Sequence, residues 1–232
     1  MQRLGVLLAA PLLTALPMCV WAAPSAAADS GPQLAPVPAA ELRCRGDGLV
    51  SLQGISPRPL LEIRYASGNN FMREALYPRP RALLRCPIAL ALQQVQQDLA
   101  AQGLALKIWD AYRPPSVQQR MWDRIRDPRY VSDPAANAGR HTRGTAVDVT
   151  LVSALGRELP MPSDFDDFSD RARSDPPGGS PEQARNALRL RRAMERRGFV
   201  VFPSEWWHFD WKDWQSYPPL ADPDDKPASW PP

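Results

Sequence analysis

The chain has 232 residues, 44% of them hydrophobic and 23% charged, enough for one globular domain of ordinary size with additional segments. Its formal net charge of +3 is small. The run Arg189, Arg191, Arg192, Arg196 and Arg197 comes with no nucleic-acid motif, so it reads as a solvated helix face.

In chain order, the first segment reads as a secretory signal over residues 1–23. Arg3 is followed by an apolar run from Leu4 to Val20 and then by the small residues Ala22 and Ala23. Pro11 and Pro17 interrupt the run and no basic flank stops it, which argues against an uncleaved membrane anchor. Residues 24–48 are read as a Pro/Ala-rich linker. Removal of the signal leaves two of the three cysteines, Cys44 and Cys86. In an oxidising compartment that pair is expected to be bridged, with two free thiols as the alternative. The folded domain is expected over residues 49–216. Residues 60–66 read as a short strand. Residues 87–102 read as a helix, with Pro87 in its first turn, Ile88, Leu92, Val95 and Leu99 at helical spacing, and Gly103 past its end. Leu104 to Trp109 reads as a strand. Ser116 is expected to cap a helix reaching Ile125. Thr145 to Val152 is β-branched and apolar, hence a strand. Residues 181–197 read as a helix with Ala184, Leu188 and Met194 inward and Gly198 at its end. Phe199 to Phe202 and Trp206 to Trp211 complete the strands, and residues 217–232 form a Pro-rich tail. Strands and helices mix without a regular βαβ rhythm, so the class is α+β, a small central antiparallel sheet flanked by helices.

Two stretches carry chemistry: His141-Thr-Arg-Gly-Thr-Ala-Val-Asp148 and Glu205-Trp-Trp-His208. His141 and His208 are the only two histidines. With Asp148 they supply two imidazole nitrogens and a carboxylate oxygen, the ligand number of a catalytic zinc that keeps one position for water. One constraint stands in the way. The seven-residue step from His141 to Asp148 is odd, so in a regular strand they would face opposite sides. A loop, or a bulge helped by Gly144, has to re-aim His141. Glu205 is the natural base for the attacking water, with Trp206 and Trp207 expected to exclude bulk solvent. Arg113, in Trp109-Asp-Ala-Tyr-Arg-Pro114, follows a strand end, and its guanidinium is suited to an oxyanion.

Together these segments resemble the D-alanyl-D-alanine dipeptidase family of zinc peptidases. That family belongs to a larger group with D,D-carboxypeptidases, lysostaphin-like enzymes and the hedgehog signalling domain. The likeness runs from about Leu60 to Trp211. It includes Ile63-Arg-Tyr-Ala-Ser-Gly-Asn-Asn-Phe71 and Met161-Pro-Ser-Asp-Phe-Asp166, which are closer to the dipeptidases than to the wider group. The resemblance implies one zinc ion per subunit on His141, Asp148 and His208, Glu205 as base, and Arg113 at the transition state. It also implies Asp166 on the substrate's ammonium and Tyr65 near the substrate. Gly139 departs from the pattern, since the family usually has Ser two residues before the first His.

The function expected on this basis is hydrolysis of D-Ala-D-Ala to free D-alanine by an exported, periplasmic enzyme, without nucleic acid and without stable membrane association once the signal is cut. A D,D-carboxypeptidase or endopeptidase on longer wall peptides is the alternative within the class. A non-catalytic zinc-stabilised binding domain is the alternative outside it.

Overall fold

The computed structural model describes residue 42 and residues 44–221. The expected signal over 1–23 and most of the expected linker lie outside the described residues. A five-stranded sheet in the order β2-β4-β5-β7-β6 organises the domain. Its strands are β2 (Leu60–Leu61), β4 (Leu104–Asp110), β5 (Ala146–Ser153), β6 (Phe199–Phe202) and β7 (Glu205–Trp211). The pairings β4–β5, β5–β7 and β6–β7 are antiparallel, while the edge strand β2 runs parallel to β4. The α+β class holds, and the sheet is mixed at that one edge. A separate antiparallel pair joins β1 (Leu49–Ser51) to β3 (Leu83–Arg85).

The strand read over 60–66 is shorter than expected. It stops at Leu61, and Arg64–Ala66 forms a 3₁₀ turn. The reason lies in Tyr65, whose carbonyl accepts from the backbone N–H groups of both Leu76 and Tyr77 (2.7 and 2.9 Å) instead of from a neighbouring strand.

Helix α1 (Cys86–Ala100) buries Ile88, Leu92, Val95 and Leu99 completely, at the spacing read from the sequence. Gln96 on the same helix is also buried. Its Oε1 accepts from Leu106 N at 2.8 Å, tying the helix to β4 across the tight turn at Gly103. Helix α2 (Pro115–Ile125) begins one residue before the expected cap. Pro114 is the N-cap and Ser116 lies inside the first turn. Proline at the first helical position already has the required φ and no N–H to satisfy. A short helix α3 (Pro134–Asn137) follows.

Helix α4 (Pro181–Glu195) starts with a capping box, Ser180 with Gln183. Its inward face differs from the expected one. Asn186, Leu190, Ala193 and Met194 are buried, whereas Ala184 and Leu188 are exposed. Steps of four, seven and eight from Asn186 share one stripe. Ala184 and Leu188 form a parallel stripe on the solvent side, to which Met194 does not belong. At the helix end Gly198 has φ +90°, and a Cβ there would come within 2.9 Å of the Trp211 ring.

Both domain boundaries move outward. Cys44 is bridged to Cys86, Cys86 N–H donates to Gly48 O (2.9 Å), and Arg85 holds the Asp47 carboxylate (2.9 Å). Residues 44–48, read as part of the linker, are therefore fastened to the core. Residues 217–221, expected in the tail, cross the turn that bears His141. Leu220 N–H donates to Thr142 O (2.9 Å), Arg85 to Pro218 O (2.8 Å) and Tyr112 OH to Ala221 O (2.9 Å). Backbone carbonyls need no particular side chains, which is why composition did not mark this strap as folded.

Candidate active site

Asp148 and His208 stand directly opposite one another in the β5–β7 ladder, so period-two alternation puts both side chains on one face of the sheet. His141 reaches the same point from outside the strand. Residues His141–Arg143 form a 3₁₀ turn, Gly144 takes φ +68°, and β5 begins only at Ala146. The odd seven-residue step is thereby resolved. Gly144 is required by its positive φ, and a Cβ there would also displace the Leu49 Cδ2 methyl, which lies 2.8 Å away.

The three ligand atoms meet closely. His141 Nε2 is 3.1 Å from His208 Nδ1 and 3.4 Å from Asp148 Oδ1, and His208 Nδ1 is 3.0 Å from Asp148 Oδ1. Atoms about 2.0–2.1 Å from a single tetrahedral ion lie about 3.3 Å apart, so the spacing suits zinc. The outward nitrogens are already committed. His141 Nδ1 lies 2.6 Å from Ala111 O and His208 Nε2 lies 2.9 Å from Asp210 Oδ1. With protons on those two nitrogens, the other two present lone pairs to one point. Asp148 Oδ1 is buried there and has no hydrogen-bond partner. Two lone pairs and an orphaned carboxylate oxygen converging on one point need a cation, and the donor set fits a divalent one.

Electrostatics agree. Burial works against the Asp148 carboxylate, but His141 and His208 hold its pKa well below the usual range. Burial lowers the pKa of His208, yet Asp210 and Asp148 outweigh it and lift the imidazole to about 10. The site thus holds positive charge strongly, and a metal ion takes the place of that proton. Glu205 is 8% exposed, with Oε2 3.8 Å from His208 Nδ1, beside the ligand without bonding to it. Burial, with Asp148 and Asp166 adding to it, pushes its pKa to about 8.

Arg113 lies in the β4–α2 loop, and its backbone N–H donates to His141 O (3.2 Å). Its Nε and Nη2 bond to Asp110 Oδ2 (3.1 and 2.9 Å), and Nη1 bonds to Gln118 Oε1 (3.0 Å). Each terminal nitrogen carries a second proton, and these are the ones available to a substrate oxygen. Tyr65 lies under the guanidinium (5.2 Å) and donates from its hydroxyl to Asp166 Oδ1 (2.9 Å). Phe71 N–H donates to Asp166 Oδ2 (3.0 Å). Burial and repulsion from Asp148 raise the Asp166 pKa to about 7, against the opposing effect of its two donors and Arg113. One cleft is lined by Tyr65, Arg113, His141, Asp148, Asp166, Glu205 and His208, so the residues expected at the site gather there.

Trp206 is the exception to the expected water barrier. Trp207 lines the cleft, whereas Trp206 donates to Ser163 Oγ (3.0 Å) and packs against Trp109. Sequence reasoning missed Asp110, Tyr77 and Asp210. Asp110 anchors Arg113 and accepts from Tyr77 OH at 2.7 Å. Asp210 orients His208 and is itself paired to Arg140 (3.0 Å). The offsets of three before Arg113 and two after His208 were legible signals for the two carboxylates. Tyr77 left none. Replacing Asp210 by Asn is expected to weaken zinc binding about 10–100-fold, as read by competition with a chromogenic chelator. Unchanged affinity would show that His208 needs no partner.

The model of the family described as D-ala-D-ala dipeptidase matches residues 45–223. A D-alanyl-D-alanine dipeptidase of Escherichia coli is 39% identical over 174 residues, 75% of this chain and 90% of that protein. One of Enterococcus faecium is 29% identical, covering 68% of this chain and 87% of its own. A solved structure of a mutant vancomycin resistance D,D-pentapeptidase, VanY, in complex with Zn(II) overlaps with a TM-score of 0.40 at 14% identity. It covers 60% of this chain and 78% of that one.

Proposed function

We infer the function from one premise: the chain belongs to the D-ala-D-ala dipeptidase family. It is a zinc metallopeptidase that hydrolyses D-Ala-D-Ala to free D-alanine. The observation that carries this is the convergence of His141, Asp148 and His208 with Glu205 beside them and Arg113 and Asp166 in the same cleft. Zinc, when bound to the three ligands, supplies Lewis acidity that polarises a carbonyl and acidifies water.

The remaining work falls to side chains. Glu205 takes the proton of the attacking water and delivers it to the leaving amine. Arg113, held rigid by Asp110 and Gln118, donates to the oxygen that becomes negative. Asp166 receives the free ammonium of the dipeptide. Each of its oxygens accepts one hydrogen bond from the protein and keeps lone pairs for the amine. Tyr65 spans the two groups and stays protonated, because burial and Asp166 raise its pKa.

The apolar run after Arg3 and the bridged cysteines support an exported, periplasmic enzyme. Outside the cytoplasm the free dipeptide arises from released wall material, so the role we assign is recovery of D-alanine rather than depletion of a cytoplasmic precursor. Active protein recovered in the cytoplasm with residues 1–23 intact would overturn that assignment.

The test is turnover of D-Ala-D-Ala against N-acetyl-D-Ala-D-Ala, with and without chelator. The free dipeptide is expected to be hydrolysed, the acylated one refused, and chelation to abolish activity. Asp166 must be ionised to hold an ammonium. With its pKa raised to about 7, affinity is full above that value and is lost as pH falls through it, so KM is expected to rise below pH about 7. Asp166→Asn is expected to raise KM about tenfold or more and remove this pH dependence. Equal use of both substrates by the wild-type enzyme would favour a carboxypeptidase on longer peptides.

A further inference from the structure

A free dipeptide is a zwitterion. Asp166 receives its ammonium, but the carboxylate, two bonds beyond the scissile nitrogen, has so far no counter-charge. Two arginines line the cleft, Arg113 and Arg140. Arg113 serves the oxygen that becomes negative, which leaves Arg140. The neighbouring Arg143 is committed elsewhere, since its terminal nitrogens donate to Tyr217 O (2.5 Å) and Asn137 O (3.1 Å).

Arg140 is held in place at both ends. It directly precedes His141, and its carbonyl accepts from the Arg143 N–H (3.1 Å), the Thr145 N–H (3.2 Å) and the Thr145 hydroxyl (3.0 Å). At the other end its Nε is shielded from solvent and lies 3.0 Å from Asp210 Oδ2. The guanidinium lies over the Phe202 ring (5.0 Å) and the Trp214 ring (4.9 Å). The arrangement repeats that of Arg113, which also has a buried aspartate behind it and an aromatic ring on its face. The Arg140 side chain keeps 21% of its surface exposed. Among the described residues neither terminal nitrogen has a hydrogen-bond partner. A planar fork anchored through Nε presents its outer N–H groups in the geometry that a carboxylate accepts. Asp166 is held by Tyr65 and Phe71, and Arg140 by Asp210, Phe202 and Trp214, so the two charges stand on different walls. The Arg140 wall is also that of His208, which bonds to Asp210 (2.9 Å) and packs on Phe202 (5.3 Å).

We propose that Arg140 is a specificity-determining residue, whose terminal N–H groups receive the free C-terminal carboxylate of the substrate. The test compares kcat/KM of zinc-loaded enzyme for D-Ala-D-Ala and for its C-terminal amide, D-Ala-D-alaninamide, with zinc content measured on each sample. The wild type is expected to favour the acid. Arg140→Gln is expected to lower kcat/KM for the acid about 10–100-fold more than for the amide, chiefly through KM. Arg140→Lys keeps a cation against Asp210 and is expected to retain part of the preference. An effect passed through Asp210 and His208 to the metal strikes both substrates alike, so the ratio of the two rates removes it. Equal use of acid and amide by the wild type overturns the proposal. So does a parallel loss on both in Arg140→Gln, which would make Arg140 only a support of Asp210. The inference rests on the dipeptidase reading, and the two fail separately. A wild type that hydrolyses neither compound sinks that reading, and calorimetric binding of the two compounds to the same zinc-loaded proteins then decides the role of Arg140. Tighter binding of the acid that Arg140→Gln abolishes supports it, and equal binding of acid and amide overturns it.

Discussion

Glu205→Gln is expected to lower kcat for D-Ala-D-Ala by about 10²–10⁴ while zinc content stays at one per chain. The side chain is buried and stands 3.8 Å from His208 Nδ1, beside the cleft's water and outside the group of three side chains that can share one ion. Gln keeps the shape and removes the basic oxygen, so binding survives and proton transfer does not. Burial, Asp148 and Asp166 lift the Glu205 pKa to about 8, so the carboxyl has affinity enough for a proton to take it from an acidified water and to return it to an amine. A cation at the triad would oppose that rise and favour the ionised form that acts as base. The decisive measurement pairs single-turnover rates with metal analysis of the same sample. Wild-type turnover in zinc-replete Glu205→Gln would remove Glu205 from the reaction, and loss of the metal would make it a structural support of the ligands.

Arg113→Lys is expected to reduce kcat/KM by about 10²–10³ with the loss mainly in kcat. Alanine would be a poor choice here. Asp110 is fully buried against Arg113, and stripping a buried carboxylate of its partner costs about 3–5 kcal/mol of stability. Lysine retains a charge for Asp110 but not the planar fork that reaches Asp110 and Gln118 together. The oxyanion donors are then misplaced although the net charge is unchanged. Thermal unfolding separates the two effects. A variant that melts with the wild type and still loses turnover in this range supports the assigned role, whereas one that keeps wild-type kcat sinks it.

The site was more legible than the fold around it. Zinc chemistry accepts few residue types, and a chain with only two histidines leaves little choice of imidazole ligand. Arg113 was legible from its place after a strand end, whereas Asp166 and Tyr65 came from motif resemblance. Their physical link, Tyr65 stacked under one and bonded to the other, appears only in three dimensions. The fully buried stripe of α1 was readable because all four of its apolar positions obey the helical period. The stripe of α4 was misread because Asn186, a polar residue, occupies a buried place by bonding to Pro160 O. Hydrophobic pattern alone does not reveal a satisfied polar group.

By itself, then, the amino-acid order determined which atoms can bind the ion and where the longer helices and strands lie, since ligand preference and local periodicity act over short stretches of chain, whereas the short β1, β3 and α3 left no such signal. Tertiary structure decided how those atoms meet. It turned His141 out of the strand through Gly144, set Asp148 beside His208 by ladder register, and brought Asp110, Asp210, the Ala111 carbonyl and the 217–221 strap to support them. Those supports act through backbone groups and through partners distant in the chain, and such contacts leave no periodic or compositional trace for a linear reading to find.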